Sequence, residues 1–290
     1  RSFSTIAITA HRAWSPTSLS GLSVNYVHGG DRLRSPFREL DDDAYTTACV
    51  DDLTQVFDMM TSGEVAAMIA EPIQGVGGFT TPPDGFFGAI KKELDNRGVL
   101  FISDEVQTGW GRTGDHFWGY QAHGMVPDML TFAKGVGNGL ALGGVVARAE
   151  VMEAMGANSI STFGGNPLAS AGALATIRYM LDHDTQSNAR EMGARLATRL
   201  RPAVEASPVV AELRGRGLML AIETVHPDSI EPHPDAAVRL MEITRAAGLL
   251  IGKGGLYGNV LRIAPPMTVT ADEVDEAADI LVRAISGLEQ

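Results

Sequence analysis

Three charged residues each follow an apolar run without a spacer. Glu71 follows residues 65–70, Asp104 follows 99–103, and Lys134 follows 129–133. If these runs are parallel strands of one sheet, their carboxyl ends open on one crevice, and two carboxylates and an amine share it. A lysine emerging from apolar residues is partly desolvated. That disfavours its charged form and leaves a neutral amine able to attack a carbonyl, which is Schiff-base chemistry. Gly135, Gly137 and Gly139 follow Lys134, so a flat group could approach the backbone closely.

A carboxylate beside an aromatic nitrogen keeps that nitrogen protonated, and a protonated pyridine ring is an electron sink. An aldehyde held by lysine and a pyridinium held by aspartate are the demands of pyridoxal phosphate. Spacing alone does not prove the pair, since 134 − 104 = 30 residues is one helix plus its connections. For Glu71, ordinary surface charge at a strand end is an equal alternative.

The elements that must position these groups are legible in the pattern. The three runs, with a fourth at 145–147, read as parallel strands buried on both faces and joined by helices. Phe87, Ile90 and Leu94 mark one helix face, stopped by Gly98. Asn166-Pro167 opens a helix to about Leu181. Beyond the polar stretch 182–187 the grammar changes. Met192, Leu196, Leu200 and Val204 mark a helix, 217–223 a strand, and Val238, Met241 and Arg245 a helix ended by Gly248. Residues 249–251 and 260–263 read as short strands. Thr270 with Glu273 is a capping box before a last helix. The reading is α/β: a large domain over 1–186 and a smaller α+β domain over 187–290, with a cleft between them.

Composition bounds the function. The chain has 290 residues, 44% hydrophobic and 20% charged, which is globular. A net charge of −12 and no basic cluster argue against nucleic acid. No run of 18 apolar residues exists to span a membrane. Cys49 is the only cysteine, which excludes an internal disulfide and fits a reducing compartment. The expected location is cytoplasmic, or mitochondrial in a eukaryote. His116 and His123 have no partners at metal-ligand spacing and read as structural; no metal is expected. Trp110 and Trp118, flanking Gly-Arg-Thr-Gly, read either as an aromatic lid or as core. The opening residues have a basic, serine-rich look that superficially suits a transit peptide. The preferred reading is a start in mid-domain, on a strand at 5–9.

The strings EPIQGVGG, ISDEVQTGWGRTG, LTFAKGVGNG, STFGGNP and LRIAPP, in this order, resemble the class III aminotransferases. These are pyridoxal-phosphate enzymes of the aspartate-aminotransferase-like fold, whose large domain holds a mixed, mostly parallel sheet. The resemblance covers nearly the whole chain. The stretch GLLIGKGGLYGNVLRIAPPM is most similar to the alanine–glyoxylate aminotransferase 2 type.

The resemblance implies roles. Lys134 would carry the cofactor aldehyde and shuttle the substrate proton. Asp104 would pair with the ring nitrogen, Val106 would pack on the ring, and Gln107 would bond its 3-oxygen. Thr162 would donate to the phosphate across a homodimer interface. Arg262 would bind the substrate carboxylate by a bidentate pair. Glu71 would stand behind, near Gln107. Bland alternatives are a surface arginine for Arg262, a helix-entry cap for Thr162 and plain core for Val106. GKGGLYG at 252–258 is not a P-loop; it reads as a rim loop that helps set Arg262.

Two departures from the family pattern matter. Members carry an upstream phosphate-cradling loop that this sequence does not include. The aromatic that stacks on the ring aligns with 11–13 here, so His11 would have to stack instead. Members acting on 4-aminobutyrate or ornithine carry a glutamate that neutralises the substrate arginine, and here that position is Val76. An ungated Arg262 implies transfer from alanine or a short β-amino acid to glyoxylate or pyruvate. The alternatives are a 4-aminobutyrate or ornithine enzyme, an aminomutase or racemase on the same scaffold, and an inactive fragment or interaction module.

Overall fold

A computed structural model describes residues 2–9 and 22–289. His11 lies outside them. The chain opens with a short helix, α1 (Phe3–Ala7), where a strand is expected. The reason is local: the Ser2 hydroxyl accepts from Thr5 N–H and the Thr5 hydroxyl accepts from Ser2 N–H, a reciprocal cap that the apolar pattern of the run does not reveal.

Helix α2 (Asp42–Met60), capped by Asp41, buries Tyr45, Cys49, Leu53 and Phe57, one residue per turn. It packs on α3 (Phe86–Asn96), whose Phe86, Phe87, Ile90 and Leu94 complete the core with Val99 and Phe101. These helices cover one face of the first sheet. Its order is β1 (Ala67–Ala70), β2 (Leu100–Asp104), β3 (Met129–Phe132) and β4 (Gly144–Ala147). The first three strands are parallel, as expected. β4 instead runs antiparallel to β3, with Leu130 opposite Val146. Only about ten residues separate these strands, too few for a parallel crossover. The expectation of burial on both faces also fails among the described residues, since Ile69, Val145 and Val146 are exposed.

After the short helix α4 (Ala149–Glu153), the long helix α5 (Pro167–Asp182) starts at an Asn166 cap with Pro167 in its first turn. A sharp turn at Asp184 (φ 44°) leads into α6 (Thr185–Ala206), so the polar stretch is a tight corner and already part of the helix. The second sheet is antiparallel throughout. Its order is β5 (Val210–Arg216), β6 (Met219–Thr224), β8 (Val260–Ile263) and β7 (Gly252–Gly254). Helices α6, α7 (Pro234–Ala246) and α8 (Ala271–Ser286) cover it, packing Leu200, Leu240 and Leu281 into one core with Leu261 of β8. The expected strand at 249–251 is displaced to β7. A third, small cluster joins the two sheets: Ile73 and Phe79, from the loop after β1, pack with Met219, Ala221 and Val260. This seam brings β8 against the strand ends of the first sheet.

No described helix is long and apolar enough to cross a membrane.

Candidate active site

The parallel strands end side by side. β1 pairs with β2 through Ala70 and Ser103, and β2 with β3 through Asp104 and Thr131. Glu71, Asp104 and Lys134 therefore emerge at one edge. Lys134 opens a turn of 3-10 helix with φ 46°, a left-handed backbone that a lysine adopts only under constraint. Asp104 Oδ1 accepts from Val106 N–H at 3.1 Å and from the Thr131 hydroxyl at 3.3 Å. Among the described residues no hydrogen bond is made to Oδ2, which stays available as an acceptor.

The electrostatics tie these groups together. Lys134 is open to solvent, yet the protein around its amine lowers its pKa by desolvation; Glu71 and Asp104 pull the other way, and Arg262 adds to the lowering. Burial pushes Glu71 up to about 7, opposed by the Gly75 N–H and assisted by Asp104. Arg262 is lowered by desolvation and held up by Glu71. Glu71 and Lys134 each feel the charges of the other three groups, which places Glu71, Asp104, Lys134 and Arg262 in one neighbourhood.

Arg262 is the half-buried residue of β8, between buried Leu261 and Ile263. Its Nη1 donates to Gly75 O at 3.2 Å and its Nη2 to Lys253 O at 3.3 Å. Its guanidinium lies 5.6 Å from the centre of the Phe79 ring, a cation–π distance. Nε is buried without a partner. A Cβ on Gly254 would sit 2.7 Å from that Nε, so only glycine leaves the arginine its place. The 252–258 stretch is anchored by Gly255 N–H donating to Val76 O at 2.9 Å.

Gln107 fills the space where a side chain at Gly75 would stand. Val106 is half-buried in the same turn. Thr162 is exposed in the turn before α5, and among the described residues no hydrogen bond or ion pair joins it to the other four.

Sequence reasoning missed several supports. Glu105, fully buried, accepts from the N–H groups of Gly119 and Tyr120 at 2.8 Å each and from the hydroxyls of Ser103 and Thr108, fixing the loop beside Asp104. Gly75 and Phe79, which hold Arg262, carry no chemical signal of their own. Buried Glu223 binds Arg34 and Arg214 at 2.5 Å each, and Arg214 Nε donates to Gly78 O at 2.9 Å, which stiffens the seam. The only advance signal was the crowding of glycines at 75–78.

Trp110 packs against Trp118 at 4.7 Å, and against Phe117 and Phe132, as an aromatic cluster. His123 is buried with its ring edge-to-face on Phe87, and desolvation lowers it to about 4. Among the described residues no three His, Cys, Asp or Glu side chains converge as a metal site.

Pyridoxal phosphate fits this donor set in part. The lowered amine, the free Asp104 oxygen and the open space beside Gly135 and Gly139 suit its aldehyde and ring.

Comparison with known proteins points the same way. The family model described as Aminotransferase class-III matches residues 5–285. The chain is 38% identical over 265 residues to alanine–glyoxylate aminotransferase 2 homolog 2, mitochondrial, of Arabidopsis thaliana, covering 91% of this chain and 54% of that one. It is 39% identical over 223 residues to a 4-aminobutyrate aminotransferase of Mycobacterium leprae, covering 77% and 50%. A solved amine transaminase from an uncultivated Pseudomonas species, in its pyridoxal-phosphate-bound form, superposes with a TM-score of 0.88 at 30% identity, over 99% of this chain and 67% of that one. The chain spans about half the length of the curated relatives it matches.

Proposed function

The chain belongs to the class-III aminotransferase family, and on that premise we propose that it carries the catalytic residues of a pyridoxal-phosphate-dependent transaminase. The proposed reaction moves an amino group from alanine or a short β-amino acid to a 2-oxo acid such as glyoxylate or pyruvate. The observation that carries this reading is the approach of Arg262, on β8, to Glu71, Asp104 and Lys134 at the ends of three parallel strands.

The bound cofactor supplies an electron sink for the pair released when the substrate Cα loses its proton. Lys134 would hold the cofactor aldehyde at rest and, once the substrate amine has displaced it from that carbon, would take the Cα proton on its freed Nζ. Its lowered pKa keeps the amine unprotonated more of the time, as a base must be. Asp104, oriented by Val106 N–H and the Thr131 hydroxyl, presents Oδ2 to the ring nitrogen. Val106 and Gln107 bound the ring. Arg262, with Nε covered, receives a substrate carboxylate at its Nη end. Thr162, exposed and unbonded to the other four groups, would serve the cofactor phosphate of a second subunit, which makes the active form a homodimer.

With no charge at Val76 to mask Arg262, alanine should outpace 4-aminobutyrate as donor by roughly ten-fold or more. The likeness to a 4-aminobutyrate aminotransferase favours the opposite preference, so the two donors decide between them. The test loads the protein with pyridoxal phosphate and fixes it with borohydride. The label should map to Lys134 by peptide mass and vanish in Lys134→Ala. Fast 4-aminobutyrate turnover with pyruvate would refute the substrate assignment.

A further inference from the structure

A cavity of about 70 Å³ opens between the loop that carries Trp110 and Phe117 and the corner from α5 into α6. None of Glu71, Asp104, Lys134 and Arg262 lines it. Trp110, Phe117, Met180 and Leu181 make its lining largely apolar. Asp184 and Thr185, the cap and first residue of α6, add polar atoms. Beside it the loop lies hard against α6. A Cβ on Gly111 (φ 76°) would stand 2.9 Å from Gln186 Cβ, and one on Gly114 (φ 82°) 2.6 Å from Arg190 Cα.

Two polar atoms of this lining have no partner among the described residues. Trp110 Nε1 and Thr185 Oγ1 are both buried, and Thr185 is only 4% exposed. Such groups are rarely left unbonded, because burial strips them of water without replacing it. An indole N–H can only donate, and a hydroxyl can donate or accept, so the pair suits a guest that carries an acceptor. Asp184 sets the charge of that guest. The Ser187 hydroxyl and N–H hold its pKa below the usual carboxylate range, so it is anionic at neutral pH. It disfavours a carboxylate or phosphate and can itself accept from an N–H. The volume is half the ~150 Å³ of an apolar cavity that holds benzene, which limits the buried part of a guest to about four non-hydrogen atoms.

We propose that this cavity is a binding site for a short neutral primary amide, recognised by Trp110 Nε1 and Thr185 Oγ1. The amide oxygen accepts from the indole N–H and the threonine hydroxyl, the amide nitrogen faces Asp184, and a short alkyl group rests on Phe117 and Met180. A bound amide joins the loop to the first turn of α6 through hydrogen bonds that neither makes alone.

Acetamide, at four non-hydrogen atoms, is the probe. Saturation transfer from the full chain to its methyl protons, followed by NMR, should rise to a plateau with half-saturation on the order of millimolar, the scale expected of so small a ligand. Thr185→Val keeps the shape without the hydroxyl, and Trp110→Phe removes the N–H. Each should weaken binding by about three- to ten-fold, the scale of one hydrogen bond. Thr185→Ser keeps a hydroxyl and should retain it. Acetate has the same shape with a charge, and at equal concentration it should not displace acetamide. A signal that never saturates overturns the proposal, as do unchanged affinities in both Thr185→Val and Trp110→Phe, or loss in Thr185→Ser. Displacement by acetate overturns it as well, since that places the amide at a cationic site such as Arg262.

Discussion

The two sheets of this molecule are covered to different degrees. Every residue of β6 is buried, and helices α6, α7 and α8 close over its sheet with a continuous aliphatic core. No residue of β3 is fully buried, and Val145 and Val146 of β4 are each 55% exposed. In β1, Met68 and Ala70 pack under α2 and α3, while Ile69, which points to the other face, is 41% exposed. The candidate catalytic groups all leave the less-covered sheet, except Arg262. That arginine is lent by the well-packed sheet across the seam of Ile73, Phe79 and Val260. The difference teaches a division of labour: the second sheet supplies rigidity, and the first supplies the open edge where chemistry can occur.

The largest effect should come from cutting the second core. Leu240→Ala, at a fully buried position, should cost about 3–4 kcal/mol in urea unfolding, against under ~1 kcal/mol for Ile69→Ala. Equal costs would break the contrast. A second effect is opposite pH dependence in the two regions. Burial alone would raise Glu223, but Arg214, Arg34 and Asn259 pull it below its usual range. Its stabilisation is therefore full above pH 4.5 and fades as pH falls below it. Glu71 runs the other way. Raised from 4.5 to about 7, it leaves the fold most stable below 4.5 and withdraws that benefit as pH rises through about 7. The span is up to about 3 kcal/mol and should flatten in Glu71→Gln, read as unfolding free energy against pH. The smallest effect sharpens the comparison at its exposed limit: Val146→Thr should change stability by less than about 0.5 kcal/mol.

The sequence made the strand ends legible because a strand's last residue is a local feature. Glu71, Asp104 and Lys134 stand out as charges behind apolar runs, and the fold class follows from the same alternation. Arg262 was reachable only through the family resemblance, since an arginine inside a four-residue strand looks ordinary. What stayed hidden depends on contacts distant in sequence. Gly75 joins Glu71 to Arg262 across 187 residues, and nothing in its own neighbourhood announces that. Glu105 reads as a second acid beside Asp104 until the loop at 118–120 folds back to donate to it. The direction of β4 is set by a loop too short to cross over. α1 was misread because Ile6 and Ile8 suit a strand equally well and only the Ser2–Thr5 cap decides.

The aromatic cluster has a practical corollary. Trp110 packs edge-to-face on Phe132, two residues before Lys134, and no tryptophan occurs beyond position 118. Indole fluorescence therefore arises from the first half of the chain alone. Emission from Trp110 and Trp118 gives an optical gauge, needing no added label, of a chromophore arriving at Lys134. During unfolding the same light tracks the less-covered sheet while the second stays dark.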